Sequence, residues 1–319
     1  MPGKKRLLFI TSTRIGDAVL GSGVLARVLE EMPGALVTVA GGPLVKPLFD
    51  GLPGLERFIP LVKRRHSLHW LGLWRETVGT YWDTVLDLRG SVIGYSVPRR
   101  RLICWSGRRV GEGHQVERFG RLLGLDSPPA PCLFPSSEQI AKGKALLPSD
   151  RSVLALGPTA NGRGKEWPQE RFATLARWIV SQDGPLPGAA IAIFGAPSDR
   201  TYVQPLVDAL DGQTIIDGFG YGDLGVTGQA IGGCSLFVGN DSGLMHIAAA
   251  SGVPTFGLFG ASPSERYAPW GANAGYAASP VDPDEAIRRL IADKVWPMDW
   301  LTLDQVQQGL TDFWAAQRR

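Results

Sequence analysis

Cysteine is scarce in this 319-residue chain: Cys104, Cys132 and Cys234 are the only three. They lie far apart and show none of the paired spacings of a metal site. So sparse and odd-numbered a set argues against a disulfide framework and fits a reducing compartment, with buried free thiols expected at all three positions. Long apolar runs are missing too. The N-terminal stretch 7–10 is too short for the core of a secretion signal, and no uninterrupted run is long enough to span a bilayer, so a cytoplasmic protein is expected. The first glycine-bearing turn lacks the full dinucleotide-binding fingerprint, which disfavours a nicotinamide cofactor. There is no repeat of solenoid period and no recognisable nucleic-acid-reading motif, so nucleic acid is not expected as a partner.

What is abundant is glycine, 41 residues, much of it just after short apolar runs, where an α/β protein turns sharply from strand to helix. Charge is uneven. Residues 1–150 carry 21 Lys/Arg against 13 Asp/Glu, while residues 151–319 carry 12 against 17. Basic clusters stand at Lys63-Arg64-Arg65, Arg99-Arg100-Arg101 and Arg108-Arg109. Any one of them reads as solvated surface, but the asymmetry as a whole points the first half at something anionic, such as a glycolipid or a membrane surface.

Periodicity gives strands at 6–11, 35–40, 57–61, 84–88 and 101–105, with helices at 17–32, 44–49, around Trp70, Leu73 and Trp74, and at 115–123. Four prolines between 126 and 135 break the alternation and mark an inter-domain connection. The alternation restarts with strands at 152–156, 189–194, 214–216, 235–238 and 255–259, and helices at 169–180, 199–210, 224–232 and 244–251. Two such series predict an α/β protein with two doubly wound parallel-sheet domains, 1–135 and 136–300, facing a central cleft, and a last helix at 301–319 packing back on the body.

Three strand ends carry candidate chemistry. In Thr11-Ser12-Thr13-Arg14-Ile15-Gly16-Asp17, Asp17 reads either as a helix cap or as a general base for an acceptor hydroxyl. In the loop 157–168, glycines, Thr159, Arg163 and Lys165 fit a diphosphate site, with a flexible basic loop as the alternative. The segment Asp241-Ser242-Gly243-Leu244-Met245-His246 enters a helix whose free N–H groups can hold phosphate oxygens. A carboxylate there would repel phosphate, so Asp241 is expected to point elsewhere, towards a ribose hydroxyl. Ser242 reads also as an N-cap, and His246 as either structural or ligand-binding. The strand end 258–263 is expected to line the same place. Arg89, after Asp87-Leu88, reads as an acceptor contact or as half of a loop-holding ion pair. The tryptophans at 70, 74, 82 and 105 read as core or domain surface.

Together these segments resemble glycosyltransferase family 9, the ADP-heptose:lipopolysaccharide heptosyltransferases. The resemblance is carried by RIGDAVL at 14–20, LDLRG at 86–90, GKEWPQERFATLA at 164–176, VGNDSGLMHIAAASGVP at 238–254 and LFG at 258–260. It implies a GT-B fold, a C-terminal domain that binds ADP-heptose and an N-terminal domain that binds the lipopolysaccharide inner core or a related anionic glycan. It implies inversion at the anomeric carbon with no cofactor and no metal-binding Asp-x-Asp motif. It makes Asp17 the catalytic base and assigns Lys165, Asp241, Ser242, Gly243, Leu244 and His246 to the donor. Thr159 is expected beside them, and Arg14 and Arg89 are expected at the acceptor. An acceptor of this kind places the protein in the cytoplasm, in peripheral contact with the inner membrane. Three departures stand out: Gly23 where relatives often carry a nearby proline, Thr11 where they carry a basic residue, and a tail without their cysteine-containing segment. A transferase for another nucleotide sugar, a nucleotide-sugar epimerase and a non-catalytic relative remain as alternatives.

Overall fold

The computed structural model describes residues 4–63, 65–107, 110–293 and 295–318. Arg64, Arg108 and Arg109 of the basic clusters lie outside the described residues, as does the side chain of Arg163. The chain divides into two compact units, Met1–Ser137 and Glu138–Arg319.

The first unit holds β1 (Arg6–Ile10), α1 (Ile15–Leu20), α2 (Ser22–Glu30), β2 (Leu36–Gly41), β3 (Leu55–Pro60), α3 (Leu68–Thr77), β4 (Trp82–Asp87), α4 (Ile93–Ser96), β5 (Arg99–Cys104) and α5 (Gln115–Arg121). α6 (Ser137–Ala145) spans the division. The second unit holds β6 (Val153–Gly157), α7 (Gln169–Val180), β7 (Ala190–Ile193), α8 (Arg200–Ala209), β8 (Ile215–Asp217), α9 (Leu224–Gly232), β9 (Leu236–Asn240), α10 (Gly243–Ala250), β10 (Thr255–Phe259), α11 (Ser264–Tyr267), β11 (Ala274–Ala278), α12 (Pro283–Asp293) and α13 (Leu303–Gln317).

Both sheets are parallel. The first runs β3-β2-β1-β4-β5 and the second β11-β10-β9-β6-β7-β8. Each reverses direction once, between β1 and β4 in the first unit and between β6 and β9 in the second. At such a switch point the loops leaving neighbouring strands diverge to opposite faces and open a crevice at the carboxyl ends. In the second unit the faces separate cleanly. Leu154, Leu156, Ile191 and Ile193 pack against α7, α8 and α13, while Val153, Ala155, Ala190 and Ala192 pack against α9 and α10. That alternation is the period of two that a strand imposes, with both faces covered. This is the expected doubly wound, GT-B class of fold.

Three local features differ from the sequence-based expectation. The single helix predicted at 17–32 is two, because Ser22 donates its hydroxyl back to Val19 O at 2.6 Å and breaks the run at Gly21. The same Ser22 hydroxyl accepts from Cys132 N at 2.8 Å, so the proline-rich connection lies against α2. Gly23 has a reason there: a Cβ would collide with the carbonyl oxygens of Pro129 and Ala130. The helix at 44–49 is a 3-10 helix, Pro43–Phe49, with Pro47 inside it denying the backbone a donor. Of the three free cysteines only Cys234 is buried, and Cys104 and Cys132 are half-buried.

Before α3 the backbone turns through two consecutive left-handed residues, His66 (φ 52°) and Ser67 (φ 57°). Neither is glycine, and each such residue costs roughly 1–3 kcal/mol.

Candidate active site

In the second unit, β6 and β9 are neighbours and end together, Gly157 opposite Gly239. The next residue of β9, Asn240, is completely buried. Its Oδ1 accepts from Trp167 N at 3.1 Å, and its Nδ2 donates to Pro158 O at 2.8 Å. One amide thus holds both ends of the 158–167 loop against the strand that carries Asp241. Trp167, also fully buried, donates Nε1 to Leu301 O at 2.7 Å and anchors the loop from below. Within the loop, Thr159 donates its hydroxyl to Asp199 Oδ2 at 3.1 Å, and Ala160 N donates to Glu166 Oε1 at 3.3 Å. The loop is therefore held at several points rather than free.

Lys165 projects from this frame, and its Nζ stands 2.6 Å from Asp241 Oδ2. The lysine side chain is 41% exposed and the aspartate 8%. With one partner open to water, solvent screening keeps the pair to on the order of 1 kcal/mol. Lys165 is thus exchangeable, whereas Asp241 without it is a carboxylate with little solvent. Asp241 is expected to meet a ribose hydroxyl; the group it meets in this structure is Lys165.

Ser242 occupies the N-cap position of α10 with extended backbone (φ −145°, ψ 170°), yet its side chain makes no capping bond. Its Oγ is buried and has no hydrogen-bond partner among the described residues. Leaving a hydroxyl in that state costs about 1–3 kcal/mol. The first N–H groups of α10, from Gly243 onward, have no acceptor within their own helix. Donors without acceptors, a positive helix end and a solvent-exposed ammonium converge here, which is what an anionic ligand requires. His246 lies one turn into α10 and is 5% exposed. The end of β10 joins the site: Asp241 N donates to Leu258 O at 3.1 Å, and a Cβ on Gly260 would stand 3.1 Å from Gly164 O.

In the first unit, the switch point lies between β1 and β4, where Ile10 pairs with Asp87. Asp17 is the third residue of α1, and the N-cap position belongs to Arg14, which makes no side-chain cap. Asp17 therefore does not cap the helix, but as the acid in its first turn it complements the positive helix end. Its Oδ2 accepts from the Ser12 hydroxyl at 3.2 Å, and the same Oγ accepts from Arg14 N at 3.1 Å. Thr11, at the end of β1, is fully buried and its hydroxyl has no partner among the described residues.

The β4 end is organised by Asp87, to which sequence reasoning assigned no role of its own. This buried carboxylate accepts from Arg89 N (2.9 Å), Ser91 N (2.9 Å) and Ser91 Oγ (2.6 Å), closing a turn in which Gly90 takes φ 63°. Burial pushes the Asp87 carboxyl above its ordinary pKa, with the hydrogen bonds from Ser91 and the backbone amides pulling the other way. The loop is held through the backbone, and the Arg89 guanidinium instead lies 5.8 Å from the Trp70 ring centroid. Of the four tryptophans, Trp82 is core, while Trp70 and Trp74, both on α3, are partly buried against that core. Trp105 stacks edge-on with Phe119. Asn240 is the other residue whose role was missed; a polar side chain at the end of an otherwise apolar strand was its only signal.

The glycosyltransferase family 9 (heptosyltransferase) model matches residues 110–300. Lipooligosaccharide heptosyltransferase 2 of Campylobacter jejuni is 30% identical over 275 residues, covering 81% of this chain and 82% of that protein. Among solved structures, the glycosyl transferase family 9 protein from Veillonella parvula superposes with a TM-score of 0.81 at 20% identity, over 99% of this chain and 98% of that one. The E. coli heptosyltransferase WaaC, solved with ADP, superposes with a TM-score of 0.71 at 17% identity, over 97% and 99%.

Proposed function

Because the chain belongs to glycosyltransferase family 9 and is a glycosyltransferase, we propose that it transfers heptose from ADP-heptose to the lipopolysaccharide inner core or a related glycan, with inversion. The observation that carries the donor reading is the partnerless Ser242 hydroxyl at the entry to α10, beside an exchangeable Lys165. A diphosphate supplies the acceptor atoms that Ser242, the N–H groups of Gly243 and Leu244, and Lys165 lack. Thr159 and His246 border the same ligand. Asp241, released from Lys165, accepts from a ribose or sugar hydroxyl. The choice of ADP is supported by the relative solved with that nucleotide.

In the proposed reaction, Asp17 takes the proton of an acceptor hydroxyl. Ser12 holds Oδ2 and leaves Oδ1 for that proton. The acceptor oxygen forms its bond to the anomeric carbon as the bond from that carbon to the diphosphate oxygen breaks, and the electron pair leaves with ADP. Charge grows on the diphosphate in the transition state, so Lys165 and the helix N–H groups act mainly there. This set places positive charge against the leaving group. Arg14 and Arg89 sit at the carboxyl edge of the first sheet and meet an anionic glycolipid acceptor. That acceptor implies work at the cytoplasmic face of the inner membrane, in peripheral contact. No helix among the described residues is long and apolar enough to cross a membrane.

Calorimetric titration with ADP, UDP and GDP tests the donor reading. ADP-selective binding that disappears in Lys165→Ala is the expected result. Preference for UDP or GDP removes ADP-heptose, and no binding to any of the three leaves a non-catalytic relative.

A further inference from the structure

Large apolar side chains are exposed unevenly over this protein. Among the described residues, seven of the eleven such side chains lie in the first unit, and five of these, Val62, Leu68, Leu71, Val92 and Tyr95, are 44–70% exposed. They belong to two segments that touch. α3 packs on α4, with Trp74 Nε1 donating to Ser96 O at 3.3 Å, and Arg89 from the loop before α4 covers Trp70. α3 turns Leu73 into the core and leaves Leu68 and Leu71, three residues apart, on its open side.

Both segments lack acids. From 57 to 75 there are five Lys/Arg and no Asp or Glu, and from 88 to 111 there are six and again none. Lys63 and Arg65 flank the exposed Val62 and Leu68, and the Arg99 guanidinium stands 5.9 Å from the Tyr95 ring. A protein–protein interface gathers its apolar residues into a core depleted of charge and surrounds them with a polar rim. Here cations and apolar groups alternate along the same short segments. That mixture matches the bilayer interface, where Lys and Arg meet lipid phosphates, Tyr and Trp sit at headgroup level and aliphatic chains enter the acyl boundary.

We propose that this face, residues 62–63 and 65–71 with α4 and its preceding loop, docks the protein on an anionic phospholipid bilayer. Asp17 and Arg89 lie on the carboxyl edge of the same sheet, so docking brings the base alongside headgroups held in the membrane. The use of the surface rests on the glycolipid-acceptor reading above; its existence does not.

The test is co-sedimentation of the full chain with vesicles of phosphatidylglycerol and phosphatidylethanolamine, and with phosphatidylcholine alone. Binding is expected only to the anionic vesicles and should weaken as salt is raised. Lys63→Ser/Arg65→Ser should weaken it about 25-fold, at roughly fivefold per charge. Leu68→Ser/Leu71→Ser should weaken it about tenfold or more through lost apolar burial. Both variants should retain ADP binding by calorimetry, which shows that they are folded. Absence of vesicle binding, equal binding to neutral vesicles, or variants that bind like the parent would each overturn the proposal. So would a dimer in sedimentation velocity that the Leu68/Leu71 variant dissolves, since the face would then belong to a second copy. Vesicle binding without ADP binding would sink the donor reading and leave this one standing.

Discussion

Each unit builds a crevice of its own, and the two do so from opposite materials. Each carries a parallel sheet with a single reversal of strand order, and each gathers its polar residues at that reversal. In the first unit the carboxylates are already provided for: Asp17 takes Ser12, and Asp87 takes three donors from its own loop. In the second unit the donors are in surplus: a hydroxyl without a partner, a helix end and a lysine borrowed by Asp241. A shared scaffold therefore leaves function to a few side chains. In the proposed reaction one crevice receives a proton and the other receives negative charge.

That division of labour breaks most visibly at Asp17. Asp17→Ala should cost about 10³-fold or more in turnover with ADP affinity unchanged, since a positioned base contributes roughly 10²–10⁴-fold. Near-normal turnover in a heptosyl-transfer assay would remove Asp17 from the mechanism. Lys165→Ala should act on the other side of the reaction, lowering both ADP affinity and turnover by about 100-fold, because hydrogen bonds to charged groups are worth roughly 1.5–3 kcal/mol. An effect on turnover alone, with calorimetric affinity intact, would mean that Lys165 does not touch the ground-state diphosphate.

Asn240→Ala sharpens the comparison by attacking the frame. It strips partners from Trp167 N and Pro158 O, and a loss of about 2–4 kcal/mol is expected in urea unfolding, together with weaker ADP binding. A variant that loses stability yet binds ADP normally would show that the frame does not position Lys165. Ser242→Ala should move two quantities in opposite directions. Removing a partnerless buried hydroxyl raises the stability of the ligand-free protein by about 1 kcal/mol, while ADP binding weakens several-fold. If both fall together, the hydroxyl is structural.

The smallest effect is expected at Asp87. Its folded-state pKa is raised, so the native protein holds the proton more tightly than the unfolded chain does. The cost of the buried charge is fully present above the folded value and is relieved as pH falls from there towards the ordinary aspartate range. Asp87→Asn lacks this titration, so the stability of the parent relative to the variant should grow as pH falls from 7 towards the ordinary aspartate range. A gap that stays constant with pH, measured by urea denaturation, would remove the buried charge as its cause.

Much of this was legible from residues alone where the signal is local. Apolar runs, most of them closed by a nearby glycine, located ten of the eleven strands, and the turns after them held Asp17, Lys165 and Ser242. The omissions are informative. β11 is Ala-Gly-Tyr-Ala-Ala, with little β-propensity of its own; it is a strand because α13 covers it, and a Cβ on Gly275 would stand 2.6 Å from the Phe313 ring. α6 carries few apolar residues and a central Gly143, which makes sense only once a Cβ there is seen to press on α9 at Ala230 N. The break between α1 and α2 depends on a serine whose hydroxyl is engaged by Cys132, 110 residues away.

The sequence by itself determined the two βα series, their order, the residue types at each strand end and the unequal charge of the halves. These are properties of short windows, in which periodicity, turn chemistry and helix entry act over a few residues. Only the tertiary structure decided which strands are neighbours, and hence where the crevices fall. It also decided that Asn240 would bind Pro158, that Lys165 would meet Asp241 across 76 positions, and that the Ser242 hydroxyl would be left without a partner. Those outcomes depend on which groups lose water together when the sheets pack, and no local propensity records that.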